Sequence, residues 1–274
     1  MDWGSIEMLG VIVCGAAGRM GSTLVRLIHG SGAMKVVGAV EFAGSPQLGK
    51  DAGEIAGVGN IDVPMRSALA PLLKGQVVVI EFSTPKATLE HARLAAEKKI
   101  PIVIGTTGCD QKQLDEIKAL GRQTPILLSA NMSLGVNLLV SLLGKVAKSL
   151  GDDYDVEIIE AHHRFKKDAP SGTALALGRA VAQGLNRDLD KVGVNGRKGI
   201  VGERTQQEIA MLSVRAGDIV GDHTVIFGGI GERLEFIHRA HNRETFAHGA
   251  LRAAQWLAQK KPGLYAMQDM LGLE

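Results

Sequence analysis

The 274-residue sequence predicts an α/β fold in two domains, the first built on a parallel sheet and the second on a mixed sheet. Three observations lead to this prediction. Short apolar runs alternate with amphipathic segments as far as residue 128, and a glycine-rich turn follows the first of these runs. Beyond residue 133 the pattern changes to longer segments and alternating strands.

The first domain is predicted from strands and helices in strict alternation, which is typical of parallel sheets with right-handed crossovers. Its predicted helices begin at a small or polar residue or at Pro85, a residue that the first helical position tolerates. The predicted elements, in chain order, are strand Leu9–Cys14, helix Ser22–His29, strands Val36–Val40 and Val77–Phe82, helix Pro85–Glu97, strand Pro101–Ile104, helix Gln111–Leu120 and strand Ile126–Leu128.

The second part of the chain combines long helices with strands in which polar and apolar residues alternate. Glycine-containing turns join these strands, so we expect an antiparallel or mixed sheet. The predicted elements are helix Leu134–Leu150, strand Asp155–Glu160, helix Ser171–Asn186, strands Glu208–Val214, His223–Phe227 and Arg233–His238, and helix Phe246–Gln259.

Composition excludes several classes of protein. The 31 basic and 29 acidic residues nearly balance and aromatic residues make up 4%, which argues against a nucleic-acid platform. Cys14 and Cys109 suggest no disulfide framework, so a reducing cytoplasm is expected. No run approaches 18 uninterrupted apolar residues, and residues 1–7 lack the apolar segment of a secretion signal, so neither a membrane span nor export is expected.

The glycine-rich turn predicts a dinucleotide site. Gly15-Ala16-Ala17-Gly18-Arg19-Met20-Gly21 follows a strand and opens a helix, where small residues let a pyrophosphate approach backbone N–H groups. Glu41 ends the second strand, 20 residues after Gly21, where an acidic side chain accepts hydrogen bonds from ribose hydroxyls. The alternative is a tight turn with a solvent-facing glutamate.

Two later strand ends carry small polar residues, at 82–85 and 105–108. Ligands of open α/β sheets bind beyond the carboxyl ends of the strands. Either segment alone is compatible with an ordinary turn, but together with the first loop they outline one crevice.

The segment from Glu160 to Thr173 gathers imidazoles and cations before a predicted helix, which Ser171 or Thr173 could cap. Free N–H groups at a helix start bind carboxylates, and Lys and His supply transferable protons. The alternative is a solvated basic loop. A zinc site at His162 and His163 is disfavoured because adjacent strand residues face opposite sides, so no metal is expected. The remaining histidines are expected to be structural or surface residues: His29, His91, His223, His238, His241 and His248.

These segments, taken together, resemble the 4-hydroxy-tetrahydrodipicolinate (dihydrodipicolinate) reductase family over about residues 8–271. The resemblance is carried most specifically by the His162–Thr173 run and less specifically by the glycine turn. The other matching segments are Gly105–Gly108, Ser129–Ser133 and Arg215–Thr224.

The resemblance implies a fold, an assembly and a reaction. The implied domains are a Rossmann-like dinucleotide-binding domain, residues 1–133 with 242–274, and a mixed substrate-binding and tetramerisation domain, residues 134–241. It implies a cytoplasmic homotetramer of lysine (diaminopimelate) biosynthesis. The implied reaction passes a hydride from NADH or NADPH to a small cyclic dicarboxylate, which is followed by protonation of the neighbouring carbon.

The resemblance also implies roles for residues. His162 corresponds to a proton donor or acceptor and Lys166 to the proton donor, which requires desolvation and neighbouring cations to lower its pKa. His163 corresponds to a substrate contact, and Gly172 with Thr173 to a carboxylate-binding turn. The implied cofactor contacts are Gly15, Ala16, Ala17, Gly18, Arg19, Met20, Glu41, Gly105, Thr106, Thr107, Ser129, Ala130, Asn131 and Met132.

One departure from the family pattern concerns the choice of cofactor. Members that use NADPH well often have Arg after the acidic residue, whereas this chain has Phe42. Because Glu41 would repel a 2′-phosphate and Phe42 cannot neutralise it, use of both cofactors with a bias toward NADH is expected, with partial compensation by Arg19.

Two other functions are compatible with a glycine turn. A semialdehyde dehydrogenase would need an activated cysteine, and Cys109 lacks the sequence setting for one. A non-catalytic NAD(P)-sensing regulator would have no need for Lys166 or for the Ser171–Thr173 turn.

Overall fold

The computed structural model of the chain describes residues 8–273, so the expectation for residues 1–7 lies outside the described part. The chain divides into two compact units. The first contains the described residues up to Met132 together with Phe246–Gly272, and the second contains Ser133–Thr245. Each unit has its own sheet.

The first unit is built on a seven-stranded parallel sheet of order β3-β2-β1-β4-β5-β6-β12, which confirms the predicted Rossmann-like fold. Its strands are β1 (Leu9–Cys14), β2 (Met34–Val40), β3 (Met65–Arg66), β4 (Val77–Glu81), β5 (Ile102–Ile104), β6 (Pro125–Leu128) and β12 (Gly263–Tyr265). Its helices are α1 (Arg19–His29), α2 (Ala52–Ala56), α3 (Pro85–Lys98), α4 (Gln111–Leu120), α8 (Glu244–Leu257), which begins in the second unit, and α9 (Met267–Leu271).

Local chemistry explains where these helices begin. Pro85 occupies the first turn of α3, as the sequence predicts, and the Thr84 hydroxyl caps this helix. Asp110 caps α4 in a capping box with Gln113. Helix α1 begins at Arg19, earlier than predicted, with Gly18 as its N-cap.

The turn between β1 and α1 requires glycine at two positions. Gly15 has φ +73°, and a Cβ there would lie 2.5 Å from the Phe82 carbonyl oxygen. A Cβ on Gly21 would lie 2.1 Å from the Gly15 carbonyl oxygen and 2.5 Å from the Ala16 Cα. The start of α1 therefore packs directly on the turn, because no side chain separates the two backbones.

The second unit is built on a five-stranded mixed sheet of order β11-β10-β7-β9-β8. The β7–β9 pair is parallel, whereas β10 pairs antiparallel with both β7 and β11. The elements are α5 (Leu134–Leu150), β7 (Asp155–His162), α6 (Gly172–Gly184), α7 (Leu189–Val192), β8 (Gly193–Val194), β9 (Ile209–Arg215), β10 (Asp222–Gly228) and β11 (Arg233–Arg239). Helices α5 and α6 pack together and form a core with the sheet.

The elements that the sequence pattern did not predict are all short: α2, β3, α7, β8, β12 and α9. Segments of two to five residues are too short to show a helical or strand period. The longer predicted elements are all present. Three have the predicted bounds, namely β1, α4 and α5, and the others have shifted ends; β7, for example, extends to His162 rather than ending at Glu160.

One described segment, Leu134–Asp153, is long and apolar enough to cross a membrane by length and composition alone. A single segment of this kind is weak support for a membrane protein, because core helices pass the same test. In the second unit this helix contacts α6, and its residues Leu143 and Ala147 belong to the core.

We expect Gly21→Ala to destabilise the first unit, because the new methyl group would overlap the backbone at Gly15 and Ala16. Overpacking of this kind costs about 1–3 kcal/mol. Gly30→Ala is the matched control at the other end of α1, where φ is −83° and the nearest atoms to a Cβ lie 3.9 Å away. Urea unfolding of both variants checks the prediction, and equal stabilities would contradict it.

Candidate active site

Backbone hydrogen bonds join the loops at the carboxyl edge of the parallel sheet. This arrangement brings the predicted cofactor segments of the first unit to one edge. The bonds run from Gly15 N to Val40 O (2.9 Å), Phe82 N to Cys14 O (3.2 Å), Gly105 N to Glu81 O (3.0 Å) and Ser129 N to Ile104 O (3.1 Å).

Glu41 is tied to the glycine turn. Its Oε1 accepts a hydrogen bond from the Ala17 amide at 2.8 Å, and its Oε2 accepts one from the Phe42 amide at 3.3 Å. Phe42 is 67% exposed and Arg19 is also exposed. The surface around the glycine turn therefore includes the Glu41 carboxylate, the Phe42 ring and the Arg19 guanidinium.

The glycine turn has the features that a dinucleotide requires. Gly18 is exposed at the start of α1, and in the described chain no side-chain hydrogen bond caps this helix and no acidic residue lies in its first turn. Backbone N–H groups and the positive end of the helix dipole are therefore available to a pyrophosphate. A pyrophosphate fits this helix start.

The remaining predicted cofactor residues differ in exposure. Thr106 is buried and accepts a hydrogen bond from the Thr88 hydroxyl at 2.9 Å, whereas Thr107 is exposed. Ala130 is exposed, but the Met132 side chain is buried in the first unit. Thr106 and Met132 therefore offer little accessible surface to a cofactor.

Glu81, at the end of β4, is a buried carboxylate that sequence reasoning missed. It is fully buried, and its Oε1 accepts hydrogen bonds from the Ser83 amide (2.8 Å) and hydroxyl. Its Oε2 lies 2.5 Å from His91 Nδ1. Glu81 therefore fixes the loop after β4 to helix α3.

Cys14 completes a group with metal-binding donor types, because its donor atom and those of Glu81 and His91 lie within 4.8 Å of one another. Burial raises the pKa of the Cys14 thiol well above its usual range, and the Glu81 charge raises it further. A protonated thiol and a carboxylate engaged by Ser83 and His91 are poor metal ligands. We therefore interpret this group as a hydrogen-bonded cluster.

The second unit holds the predicted catalytic histidine at the end of β7. Glu160 and His162 lie two residues apart on this strand and share one face. His162 Nδ1 lies 2.5 Å from Glu160 Oε2. Arg215, at the end of β9, donates one hydrogen bond to each Glu160 oxygen at 2.8 Å. Glu160 is fully buried, so this two-bond contact compensates its charge.

These contacts set the ionisation of the pair. Burial alone would raise the pKa of Glu160, but hydrogen bonds from Arg215, Ser213 and His162 outweigh it and lower the pKa to about 2. Burial lowers the pKa of His162, and this effect exceeds the opposing influence of Glu160. At neutral pH His162 is therefore uncharged, with Nδ1–H donated to Glu160 and a lone pair on Nε2.

Lys166 follows the strand in the loop toward α6, and its side chain is 21% exposed. Its Nζ lies 2.9 Å from Asp168 Oδ1, and the hydrogen bond from Lys166 lowers the pKa of Asp168. The sequence argument requires neighbouring cations around Lys166, but the charged group in contact with its ammonium is a carboxylate.

Ser171, one of the two predicted capping residues, is the N-cap of α6. Its hydroxyl accepts a hydrogen bond from the Ala174 amide at 3.1 Å, and its own amide donates to Glu160 Oε1 at 3.2 Å. Gly172 is exposed, and a Cβ there would meet no heavy atom within 4 Å. The space beside the helix start is therefore open.

His163 and Thr173, both half-buried, flank this segment. His163 Nδ1 is buried and has no hydrogen-bond partner within residues 8–273. The neighbouring Phe165 is 78% exposed.

Sequence reasoning identified the segment but missed the residues that hold it. The spacing of Glu160 and His162 on one strand was a usable signal, because alternate residues share a face. Arg215 lies in a segment that matches the family, but its spacing from Glu160 in the sequence gave no sign of this contact. It lies opposite His162 only because β9 pairs with β7 in the observed register.

The fold and the two groups of residues define an NAD(P)H-dependent oxidoreductase. Models of the dihydrodipicolinate reductase N-terminus and C-terminus match residues 9–132 and 135–271. The chain belongs to the dihydrodipicolinate reductase family.

Individual relatives agree with this membership. The chain is 51% identical to 4-hydroxy-tetrahydrodipicolinate reductase of Syntrophus aciditrophicus (strain SB) over 97% of this chain and 99% of the relative. It is 49% identical to the enzyme of the same name from Geobacter sulfurreducens over 97% of this chain and 100% of the relative. Its fold is similar to that of dipicolinate-bound dihydrodipicolinate reductase from Paenisporosarcina sp. TG-14, with a TM-score of 0.76 and 24% sequence identity. The match covers 96% of this chain and 98% of that structure.

We expect Glu160→Gln to flatten the dependence of stability on acid pH. The pKa of Glu160 is depressed in the folded chain, so its contribution is fully present above about pH 4.5 and is lost as the pH falls toward about 2. The free energy of unfolding of the wild type should therefore fall more steeply from pH 5 to pH 3 than that of the variant. Glu54→Gln, at an exposed carboxylate on α2, is the control and should behave as the wild type. Equal slopes for wild type and Glu160→Gln would contradict the assignment.

Proposed function

We propose that this chain reduces 4-hydroxy-tetrahydrodipicolinate to tetrahydrodipicolinate with NADH or NADPH, in the diaminopimelate route to lysine. The observation that carries the proposal is the anchored His162, which precedes Lys166 and the open start of α6 in one short segment. The names of relatives about half identical over nearly the whole chain support the same substrate.

The substrate is a dianion, and the segment offers cationic and N–H groups that suit carboxylates. Gly172 and Thr173 are the first two residues of α6, where the positive end of the helix dipole favours an anion. Lys166 carries an ammonium group, and His163 offers an imidazole on the same loop. On substrate binding, a carboxylate competes with Asp168 for the Lys166 ammonium.

Loss of the 4-hydroxyl as water also takes a proton from the neighbouring ring carbon, and bound NADH or NADPH would then supply a hydride to C4. The neighbouring ring carbon then needs a proton, and the Lys166 ammonium is the group that we assign to donate it. His162 holds a lone pair on Nε2 while Nδ1 stays bonded to Glu160, so it can accept a proton and pass it on.

Assembly and location follow the family expectation. We propose a homotetramer formed through the sheet of the second unit, because this sheet exposes large apolar side chains: Val214 (44%), Leu234 (42%) and Ile237 (45%). Cys14 and Cys109 are free, which suits the reducing cytoplasm that we propose as its location.

The thiols also argue against a semialdehyde dehydrogenase. That chemistry needs a thiolate at neutral pH, but burial raises the pKa of Cys109, and the charge of Asp110 adds to this effect.

Lys166→Ala should lower kcat by about 10²–10⁴-fold, since that is the typical contribution of a general acid. The KM for NADH should change little. The assay follows NADH absorbance with enzymatically generated substrate. Lys167→Ala, at the exposed neighbouring lysine, is the matched control and should keep wild-type turnover. Half-normal turnover in Lys166→Ala would refute the role, and a wild type that binds NADH without turnover would indicate a regulator.

Wild type should favour NADH over NADPH in kcat/KM. Glu41, fixed beside the glycine turn, accepts a ribose hydroxyl but repels a 2′-phosphate, and the exposed Phe42 supplies no charge. Phe42→Arg should improve NADPH use selectively because guanidinium pairs with phosphate, whereas Arg19→Ala should harm NADPH more than NADH. A tenfold preference of the wild type for NADPH would contradict this account.

A further inference from the structure

The second sheet places three imidazoles in a row on neighbouring strands. His162 on β7, His223 on β10 and His238 on β11 are separated by ring-centroid distances of 5.2 Å and 6.4 Å. His223 lies in the middle, and its side chain is 4% exposed. It pairs across the sheet with Glu160 on one side and His238 on the other.

His223 is uncharged at neutral pH. Burial lowers its pKa to about 4, and a proton on the neighbouring His162 would lower it further. The other groups that face it are Glu160, which opposes this shift, and His238 and Lys166, which reinforce it. An uncharged imidazole has one N–H donor and one acceptor nitrogen, so it suits a hydroxyl partner.

The hydroxyl partner is Ser171. His223 Nε2 lies 3.0 Å from Ser171 Oγ, whereas His223 Nδ1 is buried and without a hydrogen-bond partner in the described chain. The same Oγ accepts the Ala174 amide and so caps α6. A serine hydroxyl oxygen can occupy three staggered positions about the Cα–Cβ bond, and two partners at fixed positions select one of them.

Ser171 directly precedes the open helix start. Its backbone amide is held by Glu160, and its side chain is held by His223, so both ends of the residue are fixed to the sheet. The backbone of Gly172 continues from this fixed residue into the first turn of α6. A loss of the His223 bond would release the side chain that sets the direction of this turn.

We propose that His223 is a positioning residue that holds the Ser171 hydroxyl and thereby orients the first turn of α6 to accept a carboxylate of the substrate. This inference rests on the proposed function, because it assumes that the Gly172–Thr173 turn binds the dicarboxylate. His223 itself does not touch the reacting atoms in this account. Its effect is therefore expected on dicarboxylate affinity rather than on the cofactor.

The test compares His223→Leu with His223→Gln. Leucine removes the bond to Ser171 Oγ, whereas the glutamine amide reaches the place of Nε2 and restores a hydrogen bond. We expect His223→Leu to raise the Ki of pyridine-2,6-dicarboxylate and the KM of the ring substrate about three- to tenfold, the range for one neutral hydrogen bond. The KM for NADH should stay unchanged, and His223→Gln should recover most of the affinity.

His238→Leu is the matched control. His238 Nε2 lies 3.2 Å from the hydroxyl of Ser133, which caps α5 in the same manner. This variant loses the same kind of bond at a different helix, so it should leave the Ki of pyridine-2,6-dicarboxylate within about twofold, well below the loss expected for one neutral hydrogen bond at His223. If His223→Leu does not fold, Ser171→Ala removes the bond from the other side and should raise the same Ki.

The outcomes of these experiments distinguish a failure of the proposed function from a failure of the inference about His223. A wild type that neither turns over the ring substrate nor binds pyridine-2,6-dicarboxylate overturns the proposed function and this inference with it. A functional wild type whose His223→Leu variant binds the dicarboxylate normally overturns the inference alone. The inference is also overturned if His223→Gln fails to recover the dicarboxylate affinity lost in His223→Leu, or if His238→Leu loses as much affinity. In either case the effect would come from general packing and not from the bond to Ser171.

Discussion

The buried carboxylate of Glu160 is the constraint on which the segment from Glu160 to Thr173 depends. A charged group without solvent is costly unless every oxygen is paired. Here Arg215 takes both oxygens, His162 takes Oε2 and the Ser171 amide takes Oε1. One side chain thereby joins the end of β9, the end of β7 and the start of α6. The positions of the His162 imidazole and of the Ser171–Thr173 turn are set by the same charge.

The first unit also contains a buried carboxylate that holds neighbouring loops in place. Glu81 is also fully buried at the carboxyl end of a central strand, and it holds Ser83 and His91. Its backbone carbonyl accepts the Gly105 amide, so the loops after β4 and β5 are tied to one residue. In both units, a carboxylate inside the sheet edge fixes backbone and imidazole groups while the exposed loop atoms remain open to ligands.

The sequence was informative where one local pattern determines the structure. Alternation of apolar runs predicted the parallel sheet, and Gly15 and Gly21 marked a turn in which side chains do not fit. Pro85 marked a helix start. The predicted segment from Glu160 to Thr173 lies in one stretch of the second unit, so its residues could be found without tertiary information.

Other features depend on strand pairing, which no local pattern reveals. Arg215 lies 55 residues from its partner Glu160 in the chain, and His223 lies 52 residues from its partner Ser171. Only the register of β9 and β10 against β7 brings these pairs together. The expectation that His223 is structural or on the surface therefore missed its contact with the helix cap. The pairing of Lys166 with Asp168 likewise depends on a loop conformation that composition does not determine.

The tautomer and titration of His162 test the role of Glu160 most directly. Nitrogen-15 NMR of histidine-labelled protein, assigned with His162→Gln, reports which ring nitrogen carries the proton. The account predicts a proton on Nδ1 and none on Nε2 at neutral pH, with a titration midpoint below the ordinary value of 6.5. A proton on Nε2 at neutral pH, or a midpoint at or above 6.5, would contradict it.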